Sequence, residues 1–331
     1  TRRFLDRFFG YKISPITKRR TIFGSSAGRV QSPALKILCE KEKEIDVFVS
    51  KEFWDVNIEL TDDKKNKIEL SEFRNHISYL LKYNIKSFTF FGTTGEGPSI
   101  SLKEKIKSLE YLLSHELKTK QTYVSIIQSS YKTAKLEIEN YNKLGIKNFL
   151  VSPPFFFKEL HKDALESWFI NLFNSISNQN SILLYNIPQI TKIRIDAELI
   201  RRLQNQFSDN FVKGVKDSSG DIEQTNKFLK HNSIVTTVGD ERLIAKVLKL
   251  GGDGSICGLS NIYPKEILYI IENKQENPSI NKIVNKILNF PVVPAIKTLL
   301  YLKTKNKIWL NVRPPLIKSS NQIIDELKKI I

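Results

Sequence analysis

The stretch "FVKGVKDSSGD", residues 211–221, decides the fold. Its first half is a short apolar run interrupted by lysine and glycine, and its second half is a Ser/Gly/Asp turn. A run of that length bounded by a turn reads as a strand, with Lys216 at its end. The same pattern repeats outward in both directions. "KSFTFF" (86–91), "TYVSII" (122–127), "KNFLVS" (147–152) and "SILLYN" (181–186) precede it, and "IVTTV" (234–238) and "GSICG" (254–258) follow. Amphipathic stretches lie between them, among them 101–117, 134–144 and 241–250, the last stopped by Gly251 and Gly252. Strict alternation of strand and helix predicts a parallel sheet, and runs that are apolar on both faces predict helices covering it. The fold class is therefore α/β, a (β/α)8 TIM barrel of which seven strands are clear. Further helical stretches at 263–274, 278–289 and 321–331, with "PVVPAIKTLL" (291–300) between them, predict a C-terminal helical extension.

The first sixty residues follow no such rhythm. They are Arg-rich, with a helix predicted from residue 31 or 32 to 45 and Pro33 in its first turn. "FWDVNIEL" (53–60) then alternates apolar and polar residues, as a half-buried strand does. The charged stretch "TDDKKNK" (61–67) is the natural boundary. Three parts are expected: 1–60, a barrel over 61–262, and a helical extension over 263–331. Residues 53–60 stand where a first barrel strand belongs. In that slot Asp55, Asn57 and Glu59 would meet an apolar layer, at a cost of several kcal/mol. The chain contains no methionine and opens in a helix-like run, "TRRFLDRFFGY", which predicts a start inside a longer domain.

Of the 331 residues, 40% are apolar and 26% charged, which suits a folded chain with a core. The formal charge of +17 favours polyanionic partners, although a Lys-, Ile- and Asn-rich proteome gives the same balance. The densest patch is residues 1–36, with nine Lys/Arg against the single Asp6. Two distant cysteines, Cys39 and Cys257, suggest neither a disulfide framework nor a metal knuckle. No apolar run approaches the length that spans a bilayer, and there is no secretory leader pattern. A cytoplasmic protein is the expectation.

In a barrel, chemistry belongs at the carboxyl ends of the strands. Here those ends carry "GTTGEGPS" (92–99), "YNIP" (185–188), Lys216 and "GDE" (239–241). Each has an ordinary reading: a turn, a packed tyrosine with a wet hydroxyl, a solvated charge, a helix cap. Together they put a donor-rich loop, a phenol and an amine on one rim, and that set suits imine chemistry. A lysine enclosed by apolar neighbours loses ammonium solvation, which frees its amine to attack a carbonyl. A tyrosine can shuttle the proton, a threonine can orient the phenol, and backbone N–H groups can hold a carboxylate.

The motifs "FGTTGEGPS", "LYNIP", "GVKDSSGD", "VGDE" and "GGDGSICGLSN" occur in an order and spacing that closely resembles the dihydrodipicolinate synthase / N-acetylneuraminate lyase family over residues 62–331. The resemblance implies a metal-free class I aldolase without a cofactor, usually tetrameric, on a (β/α)8 barrel with a C-terminal helical bundle. It implies that Lys216 forms an imine with pyruvate or another 2-oxo acid. Tyr185 would shuttle the proton, Thr93 would orient it, and the backbone of Gly92, Thr93 and Thr94 would cradle the carboxylate. Ile256 would lie beside the site. Two positions depart from the family's synthases: Phe156 stands near where a relay tyrosine is usual, and Ile190 replaces a carboxylate-gripping arginine. Asp240 and Glu241 look more like the hydroxyl-binding acids of the sugar-acid lyases, and "NVRPPL" (311–316) resembles the tail of related aldolases. A retro-aldol or dehydration of a hydroxylated 2-oxo acid is the implied reaction.

Residues 1–58 resemble something else, an internal piece of bacterial type IA DNA topoisomerase I, through "RRFLDRFFGYKISP", "SSAGRVQSPALKILCEKEKEIDVFV" and "KEFWDV". That resemblance implies that Arg29 approaches a DNA phosphate. The acidic metal cluster and the nucleophile segment of that family are missing, so weak, salt-sensitive nucleic-acid binding without strand cleavage is implied. Three hypotheses follow: a Schiff-base lyase acting as a homodimer or homotetramer, a DNA-binding topoisomerase relative, or an inactive chimera.

Overall fold

The structure, a computed structural model, describes residues 68–331 and Tyr11. Apart from Tyr11, these residues belong to the second of the two units into which the chain divides, Thr1–Leu60 and Thr61–Ile331. The expected helix at 31–45, the strand at 53–60, the topoisomerase-like segment and Arg29 lie outside the described residues.

Seven strands pair side by side in parallel and in chain order: β1 (Phe88–Phe90), β2 (Thr122–Ile126), β3 (Asn148–Val151), β4 (Ser181–Asn186), β5 (Val212–Asp217), β6 (Val235–Val238) and β7 (Gly254–Ser255). Helices connect them: α1 (Leu70–Lys82) leads into β1, and α2 (Leu102–Leu113), α3 (Tyr131–Lys143) and α4 (Lys162–Asn174) follow β1, β2 and β3. The short α5 (Pro188–Thr191) and then α6 (Ala197–Phe207) follow β4, α7 (Ile222–Leu229) follows β5, and α8 (Ile244–Lys249) follows β6. The chain continues through α9 (Pro264–Asn273), α10 (Pro278–Ile287), α11 (Val292–Thr304) and α12 (Asn321–Lys328). Among the described residues β1 and β7 are the edges of the sheet.

The sheet has two apolar faces because successive side chains point opposite ways. Leu150, Leu183, Tyr185 and Ile187 form an inner cluster joined by Tyr123, Val235 and Ile256. Their neighbours Phe149, Val151, Ile182 and Leu184 pack outward in the core beneath the helices. Register keeps the faces separate, since Leu150 lies opposite Leu183 and Phe149 opposite Ile182. A further core fills the space among β6, α8 and the C-terminal helices, with Ile267, Ile283 and Leu299 buried in it.

Differences from the predicted boundaries have local causes. The helix expected over 101–117 begins on a capping box between Ser101 and Glu104 but ends at Leu113, where the N–H groups of Glu116 and Leu117 both turn back to the Leu112 carbonyl. The helix expected from residue 134 starts at Tyr131, because the Ser130 hydroxyl accepts from the Thr133 N–H. The strand expected over 254–258 keeps only Gly254–Ser255 before the chain turns into the short helix Leu259–Asn261.

Candidate active site

Tyr185 on β4 and Lys216 on β5 are register partners, and both side chains point into the sheet's inner face. Two residues before the lysine, Gly214 allows β5 to approach β6: a Cβ there would lie 2.0 Å from the Val235 carbonyl oxygen. The Lys216 Nζ donates to the Tyr185 Oη at 3.3 Å and lies 4.3 Å from the centre of its ring. On the other side of the phenol, Thr93 Oγ1 is 3.4 Å from the same Oη. The tyrosine hydroxyl therefore links amine and threonine. Distances of this length suit a site that tightens once substrate is bound.

Tyr185 is almost wholly buried, at 3% exposure. Burial by itself pushes its phenol up. The Lys216 charge, with hydrogen bonds from Thr93, Lys216 and Ser218, outweighs that effect and holds it below the usual tyrosine value. Gly239 makes room for this arrangement, because a Cβ there would come within 2.0 Å of the Ser218 Oγ and 3.3 Å of the Lys216 Cε.

The next residue on each strand points the other way and braces the rim. Asn186 Nδ2 donates to Asp217 Oδ1 at 2.9 Å, Thr225 Oγ1 donates to Asp217 Oδ2 at 2.7 Å, and the Ser219 N–H donates to Oδ1 at 3.0 Å. Asn186 Oδ1 accepts from the Ile195 N–H. Asn186, Asp217 and Thr225 are all buried. The sequence reading assigned no role to Asn186, Asp217, Thr225 or Ser218. The one available signal was a polar residue directly after each functional one, in "YN" and "KD".

The Gly-rich loop leaves β1 between two left-handed residues, Phe91 at φ 58° and Glu96 at φ 54°. Each such residue costs about 1–3 kcal/mol and persists only where its surroundings impose it. Within the loop the Glu96 and Gly97 N–H groups donate to the Thr93 and Gly92 carbonyls. Gly97 cannot carry a side chain, since its Cβ would meet the Phe91 oxygen at 1.7 Å. Among the described residues, neither the Thr93 nor the Thr94 N–H has a protein acceptor. Glu96 itself is anchored: its carboxylate takes the Lys297 ammonium on one oxygen and the Arg313 N–H, at 2.7 Å, on the other. The Arg313 side chain reaches Glu104 on α2, its closer nitrogen at 2.6 Å.

The two acids expected to meet substrate both have protein partners. Arg242 clamps Asp240 through two nitrogens, at 2.9 and 2.6 Å. Glu241 is buried, and its carboxylate accepts from the Leu259 N–H at 2.8 Å. Burial pushes the Glu241 carboxyl above its ordinary value, partly opposed by that N–H. Ile256 packs with the inner cluster around Tyr185. Phe156 is 73% exposed and stacks edge-on with Phe157, and the described lining of the site cavity does not include it, whereas Ile190 does line it. That cavity measures about 1340 Å³ and extends from the rim down the β1 edge to α1, so it is larger than the reaction site. Lys216, Tyr185, Thr93, Thr94, Gly92, Asp240, Glu241 and Ile256 all line it.

A parallel sheet wound in chain order, with an amine and a phenol paired on its inner face at the carboxyl ends, has its polar groups where barrel-type enzymes keep their active sites. Residues 58–331 match the dihydrodipicolinate synthetase family, and the chain belongs to that family, whose members are aldolases and lyases. The match covers none of residues 1–57, and nothing supports the expected topoisomerase segment. The chain is 28% identical over 267 residues to an uncharacterized DapA-like lyase of Chloroflexus aurantiacus, covering 76% of this chain and 86% of that one. It is 28% identical over 260 residues to the 2-dehydro-3-deoxy-D-gluconate/2-dehydro-3-deoxy-phosphogluconate aldolase of Picrophilus torridus, covering 75% and 93%. Among solved structures, dihydrodipicolinate synthase from Agrobacterium tumefaciens superposes with a TM-score of 0.78 at 31% identity, over 81% of this chain and 94% of that one. These neighbours make the described sheet TIM-barrel-like.

Proposed function

We propose that the chain is a lysine-imine lyase or aldolase acting on pyruvate or a hydroxylated 2-oxo acid. The observation that carries this reading is the position of the Tyr185 Oη between the Lys216 Nζ and the Thr93 Oγ1. The neutral Lys216 amine adds to the 2-oxo carbon, and the resulting carbinolamine loses water to give the iminium. Tyr185 gives and takes the protons of these steps, with its phenol held below its usual pKa. In the retro-aldol direction the iminium accepts the electron pair of the breaking C–C bond, and the departing hydroxyl proton goes to Tyr185. Thr93 orients the phenol. The Thr93 and Thr94 N–H groups, with Gly92 leaving space, hold the substrate carboxylate.

Ile190, at the cavity, offers no charge to a second carboxylate, which favours a hydroxylated acceptor over aspartate semialdehyde. Asp240 and Glu241 line the same cavity and would meet such hydroxyls, Asp240 sharing them with Arg242. Residues 61–262 form the catalytic part in this reading and 263–331 the helical extension. The reaction needs no metal or cofactor, and the enzyme acts in the cytoplasm as a homodimer or homotetramer, as family members typically do. No observation favours the DNA-binding alternative.

The test is incubation with pyruvate and sodium borohydride followed by intact-mass measurement, alongside Lys216→Ala. An added mass of pyruvate, less one water and plus two hydrogens, present in the native protein and lost in the variant, supports the assignment. A folded native protein that gains no such mass overturns pyruvate as the donor.

A further inference from the structure

We infer that Glu96 is a positioning residue, through which the C-terminal segment sets the affinity of the Gly-rich loop for the substrate carboxylate. The inference rests on the loop's role proposed above.

The argument begins with the backbone. β1 is three residues long and pairs with β2 over all three. The Gly92 and Thr93 carbonyls are used internally, by the N–H groups of Gly97 and Glu96, while the Thr93 and Thr94 N–H groups have no acceptor among the described residues. Their direction depends on Phe91 and Glu96 both staying left-handed. Neither is glycine or asparagine, the residues that adopt this conformation readily. Something must hold Glu96 there, and its carboxylate shows what does. Side-chain exposure is 9% for Glu96 and 18% for Lys297, so solvent screens the pair little. The Arg313 N–H occupies the second carboxylate oxygen. The partners lie 201 and 217 residues away, on α11 and in the segment leading towards α12. Neither Lys297 nor Arg313 bonds to Lys216 or Tyr185, so the clamp acts on the loop and reaches the phenol only through Thr93.

The experiment compares the full-length protein with Glu96→Ala, Lys297→Met and Lys297→Arg. Two readouts are taken: amide hydrogen exchange over residues 92–97, and the pyruvate concentration giving half-maximal borohydride trapping. Glu96→Ala should speed exchange in the loop while leaving β4 and β5 unchanged. It should raise the half-saturating concentration roughly ten-fold or more, as misplaced binding groups do. The plateau of trapped protein should stay as in the native protein, because Lys216 is intact. Lys297→Met should fall between, and Lys297→Arg should restore most of the affinity.

Unchanged loop exchange in Glu96→Ala would overturn the clamp whatever the chemistry. So would native half-saturation accompanied only by a lower unfolding midpoint. A native protein that fails to trap pyruvate, yet shows faster loop exchange in Glu96→Ala, would overturn the pyruvate reading and leave the clamp standing.

Discussion

The β4–β5 rim and the β1 loop supply the two halves of one site by opposite means. β4 and β5 are six residues each, lie side by side, and are tied at their ends by the buried Asn186–Asp217–Thr225 network. The amine and the phenol sit on that frame. β1 has three residues, and the loop it launches is held by side chains from far along the chain. The difference separates precision from adjustability. In the proposed reaction, the groups that exchange protons sit on two six-residue strands braced by a buried network. The groups proposed to hold the carboxylate hang from a loop anchored by distant residues.

The largest expected effect tests the rim. Lys216→Ala should abolish both the trapped adduct and turnover, and any residual imine on another lysine would break the comparison at its centre. Tyr185→Phe should keep the fold and lower kcat by roughly 10²–10⁴-fold, the range for losing a positioned acid–base group, as steady-state kinetics would measure. If KM rose while kcat stayed, the phenol would serve binding and the division between rim and loop would fail. Asp217→Ala tests the bracing. It leaves Asn186 and Thr225 without their buried partner and should lower stability by about 3 kcal/mol in urea unfolding. An unchanged midpoint would mean that backbone pairing alone fixes the rim.

The smallest effect concerns the β1 side. His76 on α1 is 3.1 Å from Asn261 beyond β7 and meets Trp309 edge-on at 5.0 Å. Burial lowers its pKa from the ordinary 6.5, partly opposed by Asn261. The folded protein therefore binds that proton less readily than the unfolded chain does. The stability this provides is present above pH 6.5 and is lost as pH falls through the lowered value. His76→Asn should flatten the acid side of the unfolding-midpoint profile slightly. A profile unchanged by the substitution would exclude His76 as its source.

The parts readable in the sequence follow the same division. Strands such as "SILLYN" announce themselves because both faces are apolar, and Lys216 and Tyr185 stand out because they interrupt those runs at their ends. Local caps could also be read, though the hydroxyl of Ser130 moved one helix start by three residues. The Asp217 network could not be read in this way, because "KDSSGD" looks like an ordinary turn until Asn186 is brought alongside. Nor could the anchors of Glu96, since no periodicity links position 96 to positions 297 and 313. Asp240 and Glu241, expected to meet substrate hydroxyls, line the cavity, but nothing in the sequence signalled that Arg242 and the Leu259 N–H engage them.

The span between Glu96 and Arg313 also has a meaning in time. The strands carrying the amine and the phenol are complete by residue 217, whereas the loop's second anchor is residue 313, 217 positions after Glu96. At a synthesis rate of roughly 5–20 residues per second, the ribosome covers the 96 positions from residue 217 to residue 313 in about 5–20 s. During that interval the nascent chain holds its nucleophile without a latched seat for the substrate. In the proposed reaction, a chain released before residue 313 would carry Lys216 and Tyr185 but lack the Arg313 N–H that anchors Glu96.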